Sequence, residues 1–353
     1  MSTTAVLLRL VWITSSVSFL SCGGPLKSAP APDAVQPLVV TEQVVYDTDD
    51  PAIWINSSDT SKSLVIGTDK ETGGGLYAFD LHGKIVNKVT GLKRPNNVDI
   101  AYGVKLNGTF VDLAVVTERE SQLVRFFTLP ALEPADAGGI KVFAGEQDRL
   151  PMGVAVYKQS SDSALYVIVG RKSGPHEGYL WQYKLQDSAG VVTMRLARKF
   201  GKYSGKKEIE SIAVDNELGY VYYSDEQVGI RKYYADPSSG NEELAMFGTG
   251  EFKEDNEGIS IYKTGDSTGY ILVSDQAANC FNIYSREGSK GDQNLHKRVA
   301  VVPVKAQESD GSELTSVSLP GFEGGLFVAM STDKTFQYYS WKDLAKKAGL
   351  KTP

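Results

Sequence analysis

The chain has 353 residues, of which 41% are hydrophobic and 10% aromatic, and its formal net charge is −6 at neutral pH. This charge argues against a nucleic acid partner, because proteins that bind nucleic acids present basic surfaces to the phosphate backbone. The length is ample for one large domain with its own apolar core.

The first 22 residues have the form of a secretory signal. Arg9 is the only charge ahead of an apolar run that ends at Leu20. Phe19-Leu20-Ser21-Cys22 resembles a bacterial lipobox, in which the cysteine is acylated; the alternative is an ordinary cleaved signal with a chance cysteine. Acylation of Cys22 would leave Cys280 alone and exclude an intramolecular disulfide. We therefore expect an exported protein, either a lipoprotein of the bacterial cell envelope or a secreted one, that touches a membrane only through a lipid anchor at Cys22.

Residues 23–38 are rich in Pro, Ala and Ser, which predicts a flexible linker. Residues 39–350 form the expected folded domain, in which six segments share one shape of three short apolar strands. The predicted first strands are Ile53–Ile55, Val98–Ile100, Val154–Tyr157, Ile212–Val214, Ile259–Tyr262 and Val317–Leu319. Six repeats of short strands with almost no helical periodicity predict an all-β fold, a six-bladed β-propeller more than a sandwich.

Two further elements flank the repeats. Leu38–Tyr46 is a spare strand that can pair into the last blade and close the ring, and Trp341–Ala348 is predicted to form a short terminal helix. In an antiparallel meander, the entrance of each first strand and the exit of each second strand lie at the same end. Charged and amide residues concentrate at these points, so we expect them to meet around one mouth of the central channel.

The predicted mouth combines many carboxylates with a few cations. The entrances carry Asp49, Asp50, Asn96, Asn97, Glu208, Glu210, Asp255 and Glu257, and the exits carry Lys70, Arg119, Arg171, Lys172 and Glu226. Crowded carboxylates stay ionised only when cations neutralise them. Oxygen ligands without histidine suit Ca²⁺ better than zinc, and the three histidines of the chain lie elsewhere in the pattern. Metal ions beside basic side chains predict a site for a polyanion, above all phosphate; the alternative is a charged rim that only maintains solubility.

Several of these motifs resemble the β-propeller phytases, which are six-bladed, calcium-dependent phosphatases that act on phytate, myo-inositol hexakisphosphate. The motifs are Asp49-Asp50-Pro51-Ala52-Ile53-Trp54, Asn96-Asn97-Val98-Asp99-Ile100-Ala101-Tyr102-Gly103, Glu210 ahead of Ile212-Ala213 with Glu226 after them, and Glu257-Gly258 ahead of Ile259-Ser260-Ile261-Tyr262. The resemblance spans about residues 45 to 345 and implies several bound calcium ions.

The resemblance also implies roles for individual residues. The implied calcium ligands are Asp50, Glu210, Glu226, Asp255 and Glu257, to which we add the neighbouring Asp49. The implied phosphate-binding cations are Lys70, Arg119 and Lys172, to which we add Arg171. We expect catalysis to depend on Lys70, Arg119, Lys172, Glu210 and Asp255.

The reaction implied by the resemblance releases phosphate and lower inositol phosphates without a covalent intermediate. A water or hydroxide held between calcium ions attacks phosphorus in line with the departing inositol oxygen. A second phosphate subsite would orient the substrate at two points. We expect a monomer.

Two positions depart from the family pattern. Met152-Gly153 replaces a tyrosine before the glycine that opens the third blade, and Leu314-Thr315-Ser316 stands where we expect a Thr-Asp-Gly with a calcium ligand. Asp310 and Glu313 are candidates to replace that ligand.

Two other functions remain open from the sequence. One is a six-bladed calcium lactonase-type hydrolase, against which the basic trio Lys70, Arg119 and Lys172 counts because such enzymes usually have a neutral pocket. The other is a non-catalytic propeller that binds a ligand at the same rim, which Met152 and Thr315 make plausible.

Overall fold

A computed structural model of the chain describes residue 1 and residues 28–351. The predicted signal over residues 1–22, with its cysteine at position 22, falls outside the described residues except for residue 1. Within the described part the chain forms six four-stranded sheets, one α-helix and three short 3-10 helices. The predicted all-β, six-bladed β-propeller is confirmed.

Each blade is an antiparallel meander of four strands. Blade one contains β2 (Thr48–Trp54), β3 (Leu64–Asp69), β4 (Gly75–Phe79) and β5 (Ile85–Thr90). Blade two contains β6 (Pro95–Leu106), β7 (Thr109–Glu118), β8 (Leu123–Leu129) and β9 (Ile140–Lys141). Blade three contains β10 (Pro151–Lys158), β11 (Leu165–Arg171), β12 (Glu177–Ser188) and β13 (Val191–Lys202).

The second half of the ring follows the same order. Blade four contains β14 (Ile212–Asp215), β15 (Tyr220–Asp225), β16 (Gly229–Tyr234) and β17 (Ala245–Phe247). Blade five contains β18 (Asn256–Lys263), β19 (Gly269–Asp275), β20 (Cys280–Ser285) and β21 (Arg298–Pro303). Blade six contains β22 (Ser312–Thr315), β23 (Leu326–Ser331), β24 (Thr335–Ser340) and β1 (Val39–Val40). The 3-10 helices are Thr60–Lys62, Pro237–Ser239 and Gln276–Ala278, and α1 is Trp341–Ala348.

The ring closes through its N-terminal strand. β1 pairs antiparallel with β24, with Val39 opposite Tyr338 and Val40 opposite Gln337. The predictions of a closing strand within Leu38–Tyr46 and of a terminal helix over Trp341–Ala348 are therefore confirmed. Blade six thus takes three strands from the end of the propeller and one from its beginning.

The predicted first strand of blade six was wrong. Val317–Leu319 lies in a loop, where Val317 is exposed, and the first strand is β22, in which Leu314 is opposite Phe327. Ser312-Glu313-Leu314-Thr315 has only one large apolar residue, whereas Val317-Ser318-Leu319 has the apolar alternation typical of a half-buried strand.

The apolar core is divided among the six interfaces between neighbouring blades, and each interface holds one buried cluster. β3 illustrates why the middle strands of the blades appear in the sequence as uninterrupted apolar runs. Val65 packs into the interface with blade six, and Ile66 packs into the interface with blade two. Successive side chains of a strand point to opposite faces, and here both faces are buried, so the middle strands carry apolar residues without alternation.

The first strands of the six blades surround a central channel with a cavity of about 350 Å³. Its wall combines apolar side chains with polar ones and includes four carboxylates, Asp50, Asp99, Asp215 and Glu313. Burial raises the pKa of Asp99 to about 6 and that of Glu313 to about 8.

The C-terminal part of the predicted linker lies against the propeller. Over residues 28–38, Ala34 and Val35 are buried, and the Val35 backbone N donates to the carbonyl of Pro303 (2.9 Å). Asn279 Nδ2 donates to the carbonyl of Ser28 (2.7 Å). Apolar burial and backbone hydrogen bonds thus hold this segment despite its linker-like composition. Among the described residues, the one α-helix is too short to span a membrane.

Candidate active site

Charged side chains from all six blades meet where the first strands begin and the second strands end. We call this group the mouth cluster; it consists of Asp49, Lys70, Arg119, Lys172, Lys207, Glu208, Glu210, Glu226, Asp255, Glu257 and Asp310. Most of these residues were predicted to meet from the meander geometry alone. The antiparallel strand order explains why residues scattered over the chain share one end of the channel.

Lys70 connects blades one and six. Its Nζ lies 2.9 Å from Asp49 Oδ1 and 2.6 Å from Asp310 Oδ2. Burial opposes the charged ammonium, but Asp49, Asp310 and Glu210 outweigh that effect and raise the pKa of Lys70 above its ordinary value. Gln276 Nε2 donates to the other oxygen of Asp310. Lys70 therefore keeps its positive charge and lies between two carboxylates.

Asn96 joins blades one, two and four through its side-chain amide. Its Nδ2 donates to Asp49 Oδ2 (3.0 Å) and to Glu210 Oε1 (2.9 Å). The buried Oδ1 of Asn96 accepts no hydrogen bond from any described residue. Because buried polar atoms are normally paired, this oxygen is available to coordinate a bound cation.

Arg119 and Lys172 flank the acidic residues of blade four. Arg119 Nη2 lies 3.9 Å from Glu210 Oε1, and its side chain is mostly buried. Lys172 forms an ion pair with Glu208, and its side chain is the most exposed of the cations in the mouth cluster. Burial, followed by repulsion from Asp49, raises the pKa of Glu210 well above its ordinary value.

Lys207 lies among three carboxylates of blades four and five. Its Nζ is 2.6 Å from Asp255 Oδ2, 2.8 Å from Glu226 Oε2 and 3.8 Å from Glu257 Oε1. Burial raises the pKa of Glu226 to about 7 against the opposing effect of Lys207. For Glu257, burial and then the charge of Glu226 raise the pKa well above its ordinary value.

Glycines allow the backbones of adjacent blades to approach at the mouth. A Cβ on Gly311 would lie 2.4 Å from Asp50 Oδ1 and 2.6 Å from the carbonyl oxygen of Asp49. A Cβ on Gly153 would lie 2.1 Å from the carbonyl oxygen of Glu210. All three distances are shorter than any van der Waals contact, so only glycine fits at these two positions.

The carboxylates form two groups with the geometry of a cation site. In the Glu208–Glu210–Glu226 triad and in the Glu226–Asp255–Glu257 triad, one oxygen from each residue lies within 4.8 Å of the others. Glu226, common to both, is fully buried, and neither of its oxygens accepts a well-directed hydrogen bond from a described residue. These oxygen-only sets fit Ca²⁺, which takes six to eight oxygen ligands. Of the described histidines, His296 packs against Tyr222 and Phe247 and stands apart from both triads.

Some predicted site residues lie apart from the mouth cluster. Arg171 is fully buried, and its guanidinium packs over the Phe143 and Tyr179 rings and donates to the carbonyl of Asp148. Asp50 lines the channel, and its Oδ2 accepts a hydrogen bond from the backbone N of Val98 (3.0 Å). The geometry gives Arg171 no route to a substrate and turns Asp50 away from Lys70.

The two departures from the family pattern have different outcomes. The carbonyl of the buried Met152 accepts a hydrogen bond from Thr117 Oγ1 (2.6 Å), and Met152 offers no polar side chain to the site. Thr315 ends β22 on the side away from the mouth, where its hydroxyl accepts a hydrogen bond from the backbone N of Val317. Asp310, ahead of β22, supplies the carboxylate of blade six, whereas Glu313 faces the channel.

Sequence reasoning missed Lys207 and assigned no role to Gln276. Lys207 lies in a loop ahead of β14, so no strand periodicity indicates its direction. Its position three residues before Glu210, at the entrance of blade four, is the one signal that pointed to the mouth.

Comparisons with known proteins identify the family of the chain. A family model described as "Phytase" matches residues 2–337. A protein named 3-phytase from Bacillus subtilis (strain 168) is 28% identical over 321 residues, which cover 85% of this chain and 81% of that protein.

Solved structures show the fold alone. A luciferin-regenerating enzyme has a TM-score of 0.53 at 13% identity, with coverage of 86% of this chain and 96% of that one. A chain of a mitotic checkpoint complex has a TM-score of 0.50 at 10% identity, with coverage of 94% and 98%.

Proposed function

This chain belongs to the phytase family, and from that premise we propose that the mouth cluster is its active site and that bound calcium ions make the cluster active. The chain is a phosphoric monoester hydrolase that acts on phytate. Calcium dependence and the residue roles below are the proposed part.

The excess of acid over base in the mouth cluster carries this proposal. The cluster contains seven carboxylates, Asp49, Glu208, Glu210, Glu226, Asp255, Glu257 and Asp310, against the four cations Lys70, Arg119, Lys172 and Lys207. A polyanion such as phytate would be repelled by this mouth when its carboxylates are ionised and no further cation is bound. Added divalent cations reverse the sign of the local charge, which is why the substrate and the cations are expected to occupy this site together.

The residues that would hold calcium are those of the two triads, with Asp49 and Asp310 as further oxygen donors and the unpaired Oδ1 of Asn96 beside them. Calcium bound there would neutralise the carboxylates, attract the phosphate groups and favour the ionised form of an attacking water.

The basic residues have the task of holding phosphate. Lys70, Arg119 and Lys172 are each paired with a carboxylate of the cluster, and a neutralised carboxylate releases them for phosphate oxygens. The Arg119 guanidinium offers a planar pair of donors that suits two oxygens of one phosphate. In the hydrolysis a bond forms between the water oxygen and phosphorus while the bond from phosphorus to the inositol oxygen breaks; the attacking water loses one proton and the inositol oxygen gains one. Cations on the other phosphoryl oxygens stabilise the charge that develops there.

We also propose that the protein is exported and is anchored by lipid at Cys22, and that it acts as a monomer. The support is the signal-like apolar run and the lipobox-like residues before Cys22. Labelling with a radioactive fatty acid checks the anchor, because C22S would lose the label, whereas C280S, at the partly buried second cysteine, would keep it.

Phosphate release from phytate tests the main proposal. Chelator-treated protein should lose turnover, and added calcium should restore it, whereas magnesium should restore much less because it demands a tighter octahedral geometry. Calcium binding without turnover would indicate a binding propeller instead. Turnover that survives complete chelation would overturn the calcium-dependent site.

A further inference from the structure

Lys207 occupies the centre of a carboxylate group that the proposed function assigns to calcium. Its Nζ approaches oxygens of Asp255, Glu226 and Glu257 at 2.6, 2.8 and 3.8 Å. One oxygen from each of these three carboxylates lies within 4.8 Å of the others. A calcium ion that binds the same oxygens at its usual distance of about 2.3–2.6 Å would lie within a few ångströms of the ammonium.

The two cations cannot share this position. At such a separation, like charges in a partly buried site repel strongly, because the local dielectric is much lower than that of water. The carboxylates cannot move away either, since Glu226 is fully buried and Glu257 is nearly so. Calcium therefore has to displace the ammonium of Lys207.

Lys207 has the freedom to leave. Its side chain is 36% exposed, whereas the side chains of Glu226 and Glu257 are enclosed. Its sequence neighbour Glu208 pairs with Lys172, a proposed phosphate-binding residue, and Glu226 belongs to both carboxylate triads. A displaced Lys207 ammonium therefore remains close to the proposed phosphate-binding residues, because Glu208 lies between Lys207 and Lys172.

We propose that Lys207 balances the Glu226–Asp255–Glu257 triad in the metal-free protein, that calcium displaces its ammonium, and that the displaced ammonium becomes an additional phosphate-binding group. This inference rests on the proposed function, because it takes calcium as the activating ion. The buried Oε1 of Glu226, which accepts no hydrogen bond from a described residue, supports it independently. An ammonium that satisfied the triad fully would leave no such oxygen.

Calcium binding to the K207M variant tests the displacement. In titration calorimetry of chelator-treated protein, K207M should bind calcium at this triad about tenfold more tightly than the unmodified protein, because no ammonium has to be expelled. K206M is the matched control, since the adjacent Lys206 is exposed and reaches only the carbonyl of Gln227 (3.5 Å). An affinity in K207M that is unchanged or weaker would overturn the displacement.

A second measurement avoids dependence on the stability of metal-free K207M. The variant can be purified in calcium and titrated with a chelator, and its calcium should be released at a higher chelator concentration than that of K206M. If the unmodified protein binds no calcium, the proposed function itself fails. If it binds calcium and K207M releases calcium at the same point as K206M, only this inference fails.

Inorganic phosphate tests the second role of Lys207. Calcium-loaded K207M should bind phosphate several-fold more weakly than calcium-loaded K206M, although it binds calcium more tightly. This opposite effect on the two ligands distinguishes a phosphate-binding lysine from one that only balances charge. An unchanged phosphate affinity would overturn the second role.

Discussion

The ammonium of Lys70 lies 2.6 Å from Asp310 Oδ2, although 240 residues separate the two in the sequence. This contact joins the second strand of blade one to the loop ahead of blade six. Asp310 is also the carboxylate that blade six supplies to the mouth cluster, to which Thr315 supplies none. The ion pair therefore lies at the junction between the first and last blades and belongs to the proposed active site as well.

Replacement of Lys70 with methionine should abolish most of the activity. The variant loses a positioned cation for phosphate and leaves Asp49 and Asp310 without their shared counter-charge. We expect phytate turnover to fall by about 100-fold or more at saturating calcium, the usual effect of removing one group that stabilises developing charge. The control is K62M, because Lys62 is exposed and pairs only with Asp59. Turnover close to that of K62M would contradict the role of Lys70.

Replacement of Asn96 should uncouple three blades at the mouth. N96A removes the hydrogen bonds to Asp49 and Glu210 and leaves both carboxylates less satisfied. We expect a loss of about 2–3 kcal/mol in the free energy of unfolding of the metal-free protein. Urea unfolding measures it, with N241A as control, because Asn241 is an exposed amide that donates to the carbonyl of Lys199. Equal stability of the two variants would show that the bridge is energetically neutral.

A methyl group at Gly311 should push blades one and six apart. The Cβ would lie 2.4 Å from Asp50 Oδ1 and 2.5 Å from Asp50 Cα, and the backbone atom cannot move aside. We expect G311A to destabilise the fold by about 2–3 kcal/mol. Thermal unfolding of G265A is the matched control, since its Cβ would approach only the hydroxyl oxygen of Thr268, at 3.0 Å. A melting temperature for G311A equal to that of G265A would refute the close approach.

The stability of the metal-free protein should fall as the pH rises because of Glu313. Burial raises the pKa of Glu313 from 4.5 to about 8, so the folded state binds this proton more tightly than the unfolded state. The resulting contribution to stability is complete below about pH 4.5 and is lost as the pH rises through about 8. E313Q should flatten this decline by roughly 3–4 kcal/mol between about pH 5 and pH 8.

Urea unfolding in the presence of a chelator at several pH values measures this difference. E323Q is the control, because Glu323 is exposed on the surface. Parallel pH profiles for E313Q and E323Q would mean that Glu313 does not titrate in the folded protein over this range.

The propeller was predictable because its middle strands are buried on both faces. Val65 and Ile66 contribute to two different interfaces, and this arrangement leaves a recognisable apolar run in every repeat. The first strand of blade six was missed because β22 faces the channel and the mouth, where polar residues replace the apolar ones. The first strands of the other five blades keep enough apolar residues to be recognised, so the pattern failed at this one blade.

The sequence indicated which strand ends form the site, but it did not indicate which side chains at those ends face the mouth. Arg171 and Lys172 are adjacent at one strand exit, but alternation along the strand sends Arg171 into the core and Lys172 to the mouth. Sequence alone does not indicate which of two neighbours faces inward when both are charged. Lys207 lies in a loop, where no periodicity applies at all.

The position of β1 in blade six affects how the molecule is assembled. β1, the first of the described strands, pairs with β24, the last of them, so β24 is synthesised long after β1. A product that ends before β24 cannot complete the circle, because the clasp needs both strands. Closure of the ring therefore waits for the synthesis of β24, and the Lys70–Asp310 contact joins the two blades that this closure brings together.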